Sequence, residues 1–216
     1  MEKMPYVDPL VPVTETNVTI SIQSEWRQQM PVLTGSGVTL RELRQSDAPV
    51  LFAMLSTEEV SRFISPPPTS VEGFERFIEW THSERAAGRY ICFGVVPDGM
   101  AAAVGLFQVR QAEPDFASAE WGFALGSAYW GSGLFMKGAA LVLDFAFDVI
   151  GVHRLEARAA VQNGRGNGAL RKIGALQEGI LRRSFLRNGA YLDQVLWAIL
   201  SSDRQQLRAS GSPSVH

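Results

Sequence analysis

A mixed α/β sheet, mostly antiparallel, of about seven strands with helices on both faces, is the architecture this sequence predicts. Three observations carry that prediction. The elements run in the order strand, helices, a meander of three strands, helix, strand, helix and hairpin, with no internal repeat. The pair Asn188-Gly189 separates two long strand-like runs, the strongest short-range hairpin signal in the chain. Residues 134–150 are apolar on nearly every side, as a helix is when it covers a sheet.

The elements follow in chain order. Residues 1–37 read as an extended leader, because Pro5, Pro9, Pro12 and Pro31 break helices and Thr34-Gly35-Ser36-Gly37 forms a flexible joint. Within it, Asn17–Ile22 alternates polar and apolar residues and offers one edge strand. The main domain, residues 38–200, opens with a strand over Val38–Arg44. Ser46 and Asp47 supply N-cap oxygens for a helix over 47–55, and Thr57-Glu58-Glu59 starts a shorter piece that Pro66-Pro67-Pro68 ends. Ser70 opens a longer helix to about Ala87, with Phe74, Phe77, Ile78 and Trp80 as its apolar members, and Gly88 stops it. Strands are expected at Tyr90–Val96, Ala102–Gln111, Ser118–Leu125 and Arg154–Val161, with Pro97-Asp98-Gly99 turning the first into the second. A helix over Asn163–Ile173 ends at Gly174, and Leu176–Leu186 and Tyr191–Leu200 form the last hairpin. Residues 201–216 read as a polar tail that frays.

Composition sets the outer bounds. The chain has 216 residues, 46% hydrophobic and 19% charged, which excludes a disordered or fibrous protein. No apolar run approaches the roughly 18 residues that cross a bilayer, and the first five residues lead into no signal-type stretch. One cysteine, Cys92, allows no internal disulfide and fits a cytoplasmic location; inside a strand it reads as a small buried hydrophobe. His82 and His153 lie on different elements without ligand spacing, so no metal is expected. The formal net charge of −2 gives no reason to expect nucleic acid or a membrane as partner. That charge is unevenly spread: residues 45–150 carry six basic and thirteen acidic side chains, whereas residues 151–190 carry eight basic and two acidic. Such a basic segment suits an anionic ligand or a solvated arginine face.

The segment Ala119–Leu134 carries the chemistry. On its strand, Trp121, Phe123 and Leu125 share one face, while Glu120, Gly122, Ala124 and Gly126 share the other, which is bare apart from one carboxylate. Glycines at alternate strand positions mark close approach by a ligand or another backbone. Trp130-Gly131-Ser132-Gly133-Leu134-Phe135 then leads into the buried helix. Strand, glycine-rich turn and helix N-terminus together present unpaired N–H groups and a positive dipole end to a phosphate. The pattern lacks the Lys-Ser/Thr of a P-loop and the spacing of a dinucleotide fingerprint, and a tight structural turn would read the same way.

This loop resembles the Gln/Arg-x-x-Gly-x-Gly/Ala pyrophosphate loop of the GNAT superfamily of N-acetyltransferases, and Tyr129-Trp130-Gly131-x-Gly133 is similar to its Rim-type branch, the ribosomal-protein alanine acetyltransferases. Asn163, the Gly174-Ala175 pair and Glu178-Gly179 resemble that branch's downstream segment, and the likeness runs from Val38-Thr39-Leu40-Arg41 to Tyr191-x-Asp193, about residues 38–200. The resemblance implies a GNAT-like central sheet, acetyl-CoA as donor and an amine as acceptor. It implies main-chain contacts from Phe123, Ala124 and Leu125 to the pantetheine arm and from Trp130, Gly131, Ser132, Gly133, Leu134, Phe135 and Met136 to the pyrophosphate. It adds Asn163 and Arg165 as further cofactor-binding residues. Departures are Trp130 for Gln/Arg, Lys137 for glutamate, Gly166 for serine, and Leu170 where many relatives carry a tyrosine acting as general acid.

Glu120 is the candidate base for the attacking amine, since desolvation beside an apolar strand raises a carboxylate toward neutral pH. A glutamate bonded to a neighbouring strand or to the acceptor is the competing reading. Trp26, Trp80 and Trp197 read as core or leader anchors, and Arg182, Arg183 and Arg187 as solvated surface or as guides for an anion. The acceptor expected from the Rim-type resemblance is a protein N-terminal amine; small-molecule amines of aminoglycoside or polyamine type, and a non-catalytic CoA sensor, are the alternatives. The leader has two candidate partners, the domain's own sheet or the second subunit of a homodimer.

Overall fold

The computed structural model describes residues 25–209, with side chains to Gln206; the expected edge strand Asn17–Ile22 lies outside the described residues. The strands are β1 (Leu33–Gly35), β2 (Val38–Glu42), β3 (Tyr90–Pro97), β4 (Gly105–Gln111), β5 (Ser118–Leu125), β6 (Arg154–Ala160), β7 (Leu176–Arg187) and β8 (Ala190–Leu200). They form one sheet in the order β1-β2-β3-β4-β5-β6-β8-β7. Every neighbouring pair is antiparallel except β5 with β6. The helices are α1 (Ala48–Leu55), α2 (Glu58–Ser61), α3 (Val71–Ala86), α4 (Leu134–Asp144), α5 (Gly164–Lys172) and α6 (Ser201–Ala209).

Local sequence accounts for most boundaries. Thr57 caps α2 by accepting from the Val60 N–H, and Ser70 caps α3 by accepting from Gly73, as their short hydroxyl side chains favour. Gly88 at φ +74° and Gly174 at φ +89° leave their helices through the left-handed region open to glycine. Three expectations change. Thr34-Gly35-Ser36-Gly37 is no flexible joint, because Leu33↔Leu40 and Gly35↔Val38 pair around Ser36 and Gly37 as a tight hairpin; this adds the eighth strand. Ser201–Ala209, expected to fray, form α6, with Asp203 accepting from the Leu200 N–H and Arg204 reaching Asp144 at 2.5 Å. The helix expected through Ile150 stays α-helical only to Asp144, then widens into a π-helical turn over Phe145–Ile150 that Gly151 ends at φ +82°.

The core divides across the sheet. On one face α4 buries Leu40, Phe93, Phe107, Trp121 and Leu155; on the other α1 and α3 bury Leu43, Leu51, Phe74, Ile78, Cys92 and Leu106. Trp26 and Trp197 belong to the first core, with Trp26 edge-on to Phe116 at 5.8 Å. Trp80 does not reach the core as expected: it is half exposed, stacked on Phe77 and tilted on Tyr90. Asp47 stands at the N-cap of α1, but its oxygens do not cap that helix. It is fully buried, takes both nitrogens of the Arg41 fork at 2.8 Å, and accepts from the N–H groups of Arg44 and Ala103. This cluster ties β2, the start of α1 and the loop before β4 together.

Candidate active site

The site forms where the sheet stops being continuous. The parallel pairing of β5 with β6 runs through Ser118↔Arg154, Ala119↔Leu155 and Glu120↔Glu156 and then ends, although β5 continues to Leu125. Gly126 donates to Val104 O on the β4 side, so by the two-residue alternation of an antiparallel ladder Ala124 also bonds toward β4. The main-chain groups of Phe123 and Leu125 therefore face the gap beside β6. An extended ligand inserted there meets a strand edge inside a sheet.

Two cavities open into this gap. The first, of about 680 Å³, is lined by Trp130, Gly131, Gly133, Phe135, Met136 and Arg165 along one side. The second, of about 640 Å³, runs from Gly122 and Glu120 to Phe74, Phe77, Pro66-Pro67-Pro68 and Phe185. They share Phe63, Ile64, Phe123, Asn163 and Gly166 as a common wall, which makes one cleft with two ends.

At the first end, Gly131 (φ +77°) and Gly133 (φ +80°) bend the chain into the N-terminus of α4, and a Cβ at either would meet nothing within 4 Å. No side chain caps this helix from Gly133. Its first N–H groups, from Leu134 to Met136, lack acceptors in the helix ladder; Ser132 Oγ accepts from the Leu134 N–H at 3.3 Å and itself bonds Tyr129 O. Open glycines, exposed donors and a positive dipole end suit a pyrophosphate. Ser132 and Leu134 line neither cavity: Leu134 is a core residue, and Ser132 closes the turn. The Trp130 indole donates to Leu125 O at 2.8 Å, and the Arg165 guanidinium lies 4.1 Å above its ring.

Asn163 sits at the shared wall, but its side-chain oxygen caps α5 by accepting from the Gly166 N–H at 2.9 Å. Asn167, about one turn on, is a residue that the sequence reading does not single out. It is buried, donates to Ala160 O and Asn163 O, and accepts from Trp197 Nε1, which fastens α5 to β6 and β8. Leu170, on the buried side of α5, lines the second cavity.

Glu120 reaches the second cavity, and the apolar surroundings expected for it are only half present. Its Oε2 accepts from Arg110 Nη2 on β4 at 2.6 Å, so the carboxylate bonds a neighbouring strand as well as facing the cleft. The glycines beside it are not left open for a ligand as expected: Gln108 fills the space over Gly122, and Met54 with Val104 O fills that over Gly126. The sequence also misses much of this wall. Phe63-Ile64 and the triple proline form an apolar, non-periodic run, and that combination is the signal that could have marked a wall instead of a simple helix stop. Arg182 and Arg183 lie exposed in a bulge of β7, whereas Arg187 crosses to α2 and donates to Ser61 O. Burial pushes the Cys92 thiol far up, which fits a packing role. Among the described residues no helix is long and apolar enough to cross a membrane, and no group of three His, Cys, Asp or Glu is placed to hold a metal.

A sheet parted beside a glycine-rich helix N-terminus is the architecture of acyl-CoA-dependent transferases, and comparison with known proteins makes the class specific. A model of the acetyltransferase (GNAT) domain matches residues 38–176. The probable N-acetyltransferase YjcK of Bacillus subtilis is 28% identical, over 81% of this chain and 100% of its own length. The spermidine N(1)-acetyltransferase of Vibrio cholerae is 24% identical over 77% of this chain and 95% of its own. RimJ of Mycobacterium smegmatis, solved with CoA-disulfide, superposes with a TM-score of 0.71 at 24% identity, covering 84% of this chain and 93% of its own. The chain belongs to the GNAT family of acetyltransferases. It is an acetyl-CoA-dependent N-acetyltransferase, and its structural neighbours include the Rim-type enzymes.

Proposed function

We propose that this enzyme moves the acetyl group of acetyl-CoA onto the N-terminal amine of a protein or peptide, by direct attack with Glu120 as base. The continuous two-ended cleft carries the reading, with donors for an anionic cofactor at one end and a carboxylate at the other. The pyrophosphate lies on the N–H groups of Gly131 to Met136, and the pantetheine arm pairs with the free edge at Phe123. Asn163 and Arg165 border the arm where the two cavities meet. Glu120, oriented by Arg110, takes a proton from the acceptor ammonium directly or through water. The amine nitrogen then bonds to the thioester carbon, the carbon–sulfur bond breaks, and CoA leaves as thiolate. With Leu170 in place of a tyrosine, the positive end of α5 at Asn163 is the group that favours the departing thiolate.

Charge favours a peptide over a polyamine, the substrate in the names of three curated relatives. A polycation needs several carboxylates, but among the described residues the acceptor end offers Glu120 alone, beside Arg110 and Arg158. Its aromatic and proline walls instead suit a peptide chain. Thiol release from acetyl-CoA, followed with Ala- and Ser-terminated peptides, spermidine and an aminoglycoside, tests the reading. Turnover restricted to peptides supports it, and turnover restricted to the small amines, or no thiol release with any of the four acceptors, overturns it.

A further inference from the structure

We propose that Arg158 is a specificity-determining residue that binds a carboxylate of the acceptor, so that the preferred peptide carries Asp or Glu directly after its N-terminal residue. The inference rests on the peptide reading above and deepens it. Arg158 lies on β6 just beyond the last residue pair with β5, where the strands have parted, and it lines the acceptor end of the cleft.

Its neighbours leave it incompletely neutralised. Glu156 Oε2 stands 3.9 Å from Arg158 Nη2, while the other oxygen of that carboxylate is held at 2.8 Å by Arg154 Nε. Arg154 also grips Glu178 with both terminal nitrogens. Glu120 is held by Arg110 at 2.6 Å. Of the three arginines on β4 and β6 along this face, two make close carboxylate pairs and Arg158 makes only the long approach, with its side chain 42% exposed. Phe74, Phe77 and Pro67 line the same end of the cleft, and among the described residues Glu120 is the one carboxylate lining it. A carboxylate entering here finds a planar fork able to bind both oxygens, a geometry that an amide or ammonium cannot satisfy.

The spacing fixes which peptide position is read. Glu156 is the register partner of Glu120, and Arg158 lies two residues further along, about 7 Å at the rise of a strand. An amine at Glu120 thus places the second residue's side chain within reach of Arg158.

The test compares kcat/KM for peptides Ala-Asp, Ala-Asn and Ala-Lys on a common scaffold, using the full chain and its Arg158→Gln and Arg158→Glu variants, with acetyl-CoA binding as the check on folding. The wild type is expected to favour Ala-Asp over Ala-Asn by about tenfold, the size of one charge-assisted hydrogen bond. Arg158→Gln should bring the two within about twofold, and Arg158→Glu should move the preference to Ala-Lys. Equal use of the Asp and Asn peptides by the wild type overturns the inference while leaving the peptide reading intact. Acetylation of spermidine or free amino acids with no peptide used overturns both. Should Arg158→Glu fail to fold, the ratio in Arg158→Gln decides.

Discussion

Asn163 and Gly166 are fitted to each other: a Cβ on Gly166 would fall 2.5 Å from Asn163 Nδ2 and 2.9 Å from its Cγ. The cap on α5, with Asn163 Oδ1 accepting from the Gly166 N–H, exists in this form because residue 166 has no side chain. A serine here, as the family resemblance implies, would displace the asparagine amide.

Gly166→Ser should therefore weaken the helix start and the cleft together. A lost N-cap costs about 1 kcal/mol, which lowers the unfolding midpoint by a few degrees. The KM for acetyl-CoA should rise, because Asn163 stands on the wall that both cavities share. Thermal unfolding and steady-state kinetics measure the two effects separately, and a variant unchanged in both would show that Asn163 adapts freely.

Glu120→Gln keeps the shape of the side chain and its contact with Arg110 while removing the base. Turnover should fall by about a hundredfold or more, within the range of general base catalysis, with KM for acetyl-CoA little changed. Unchanged turnover across the pH range would leave Glu120 as a strand-to-strand tie only.

Stability should depend on acid through Asp47. Burial raises its pKa, but the hydrogen bond from Arg41, the N–H groups of Arg44 and Ala103, and the charge of Arg41 outweigh burial and leave it below the usual 3.8. A carboxyl depressed on folding contributes stability above its unfolded pKa, and that contribution is lost as pH falls through the lower folded value. Denaturant midpoints should thus drop below about pH 4, and Asp47→Asn should flatten that part of the profile. The same variant leaves Arg41 buried without its counter-charge, a loss of roughly 3–5 kcal/mol at neutral pH.

Trp130→Phe removes the indole donor to Leu125 O while keeping a ring under Arg165. Leu125 O faces the gap, so the substitution frees an acceptor for the pantetheine arm. The KM for acetyl-CoA should fall severalfold, by the worth of about one hydrogen bond. A rise instead would mean that the Trp130 N–H shapes the turn needed for the pyrophosphate.

Legibility followed the range of each interaction. The turn at Asn188-Gly189, the caps at Thr57 and Ser70, and the glycines at 131 and 133 are local, so they stand in the sequence as they stand in the fold. Asp47 was misread because its partners, Arg41 and Ala103, reach it only through tertiary packing. Trp80 was placed in the core because helical periodicity reports which side is apolar and not how far the covered sheet extends. The glycines at 122 and 126 pointed correctly to close approach, but the approaching groups are Gln108, Met54 and Val104. The acceptor wall assembles from residues 63–68, α3, β6 and β7, and no window of sequence holds it.

The short join between β5 and β6 has a consequence for motion. Three residue pairs join the five-strand half of the sheet to the three-strand half, backed by the Arg154 N–H donating to Ala117 O and by the core that both halves share under α4. Beyond Glu120 and Glu156 the strand edges have no partner in each other. Amide protons of Phe123 and Leu125, at the open jaw, should exchange quickly in the ligand-free enzyme and slowly once an extended ligand fills the gap. The paired residues Ala119 and Leu155 should stay protected in both states.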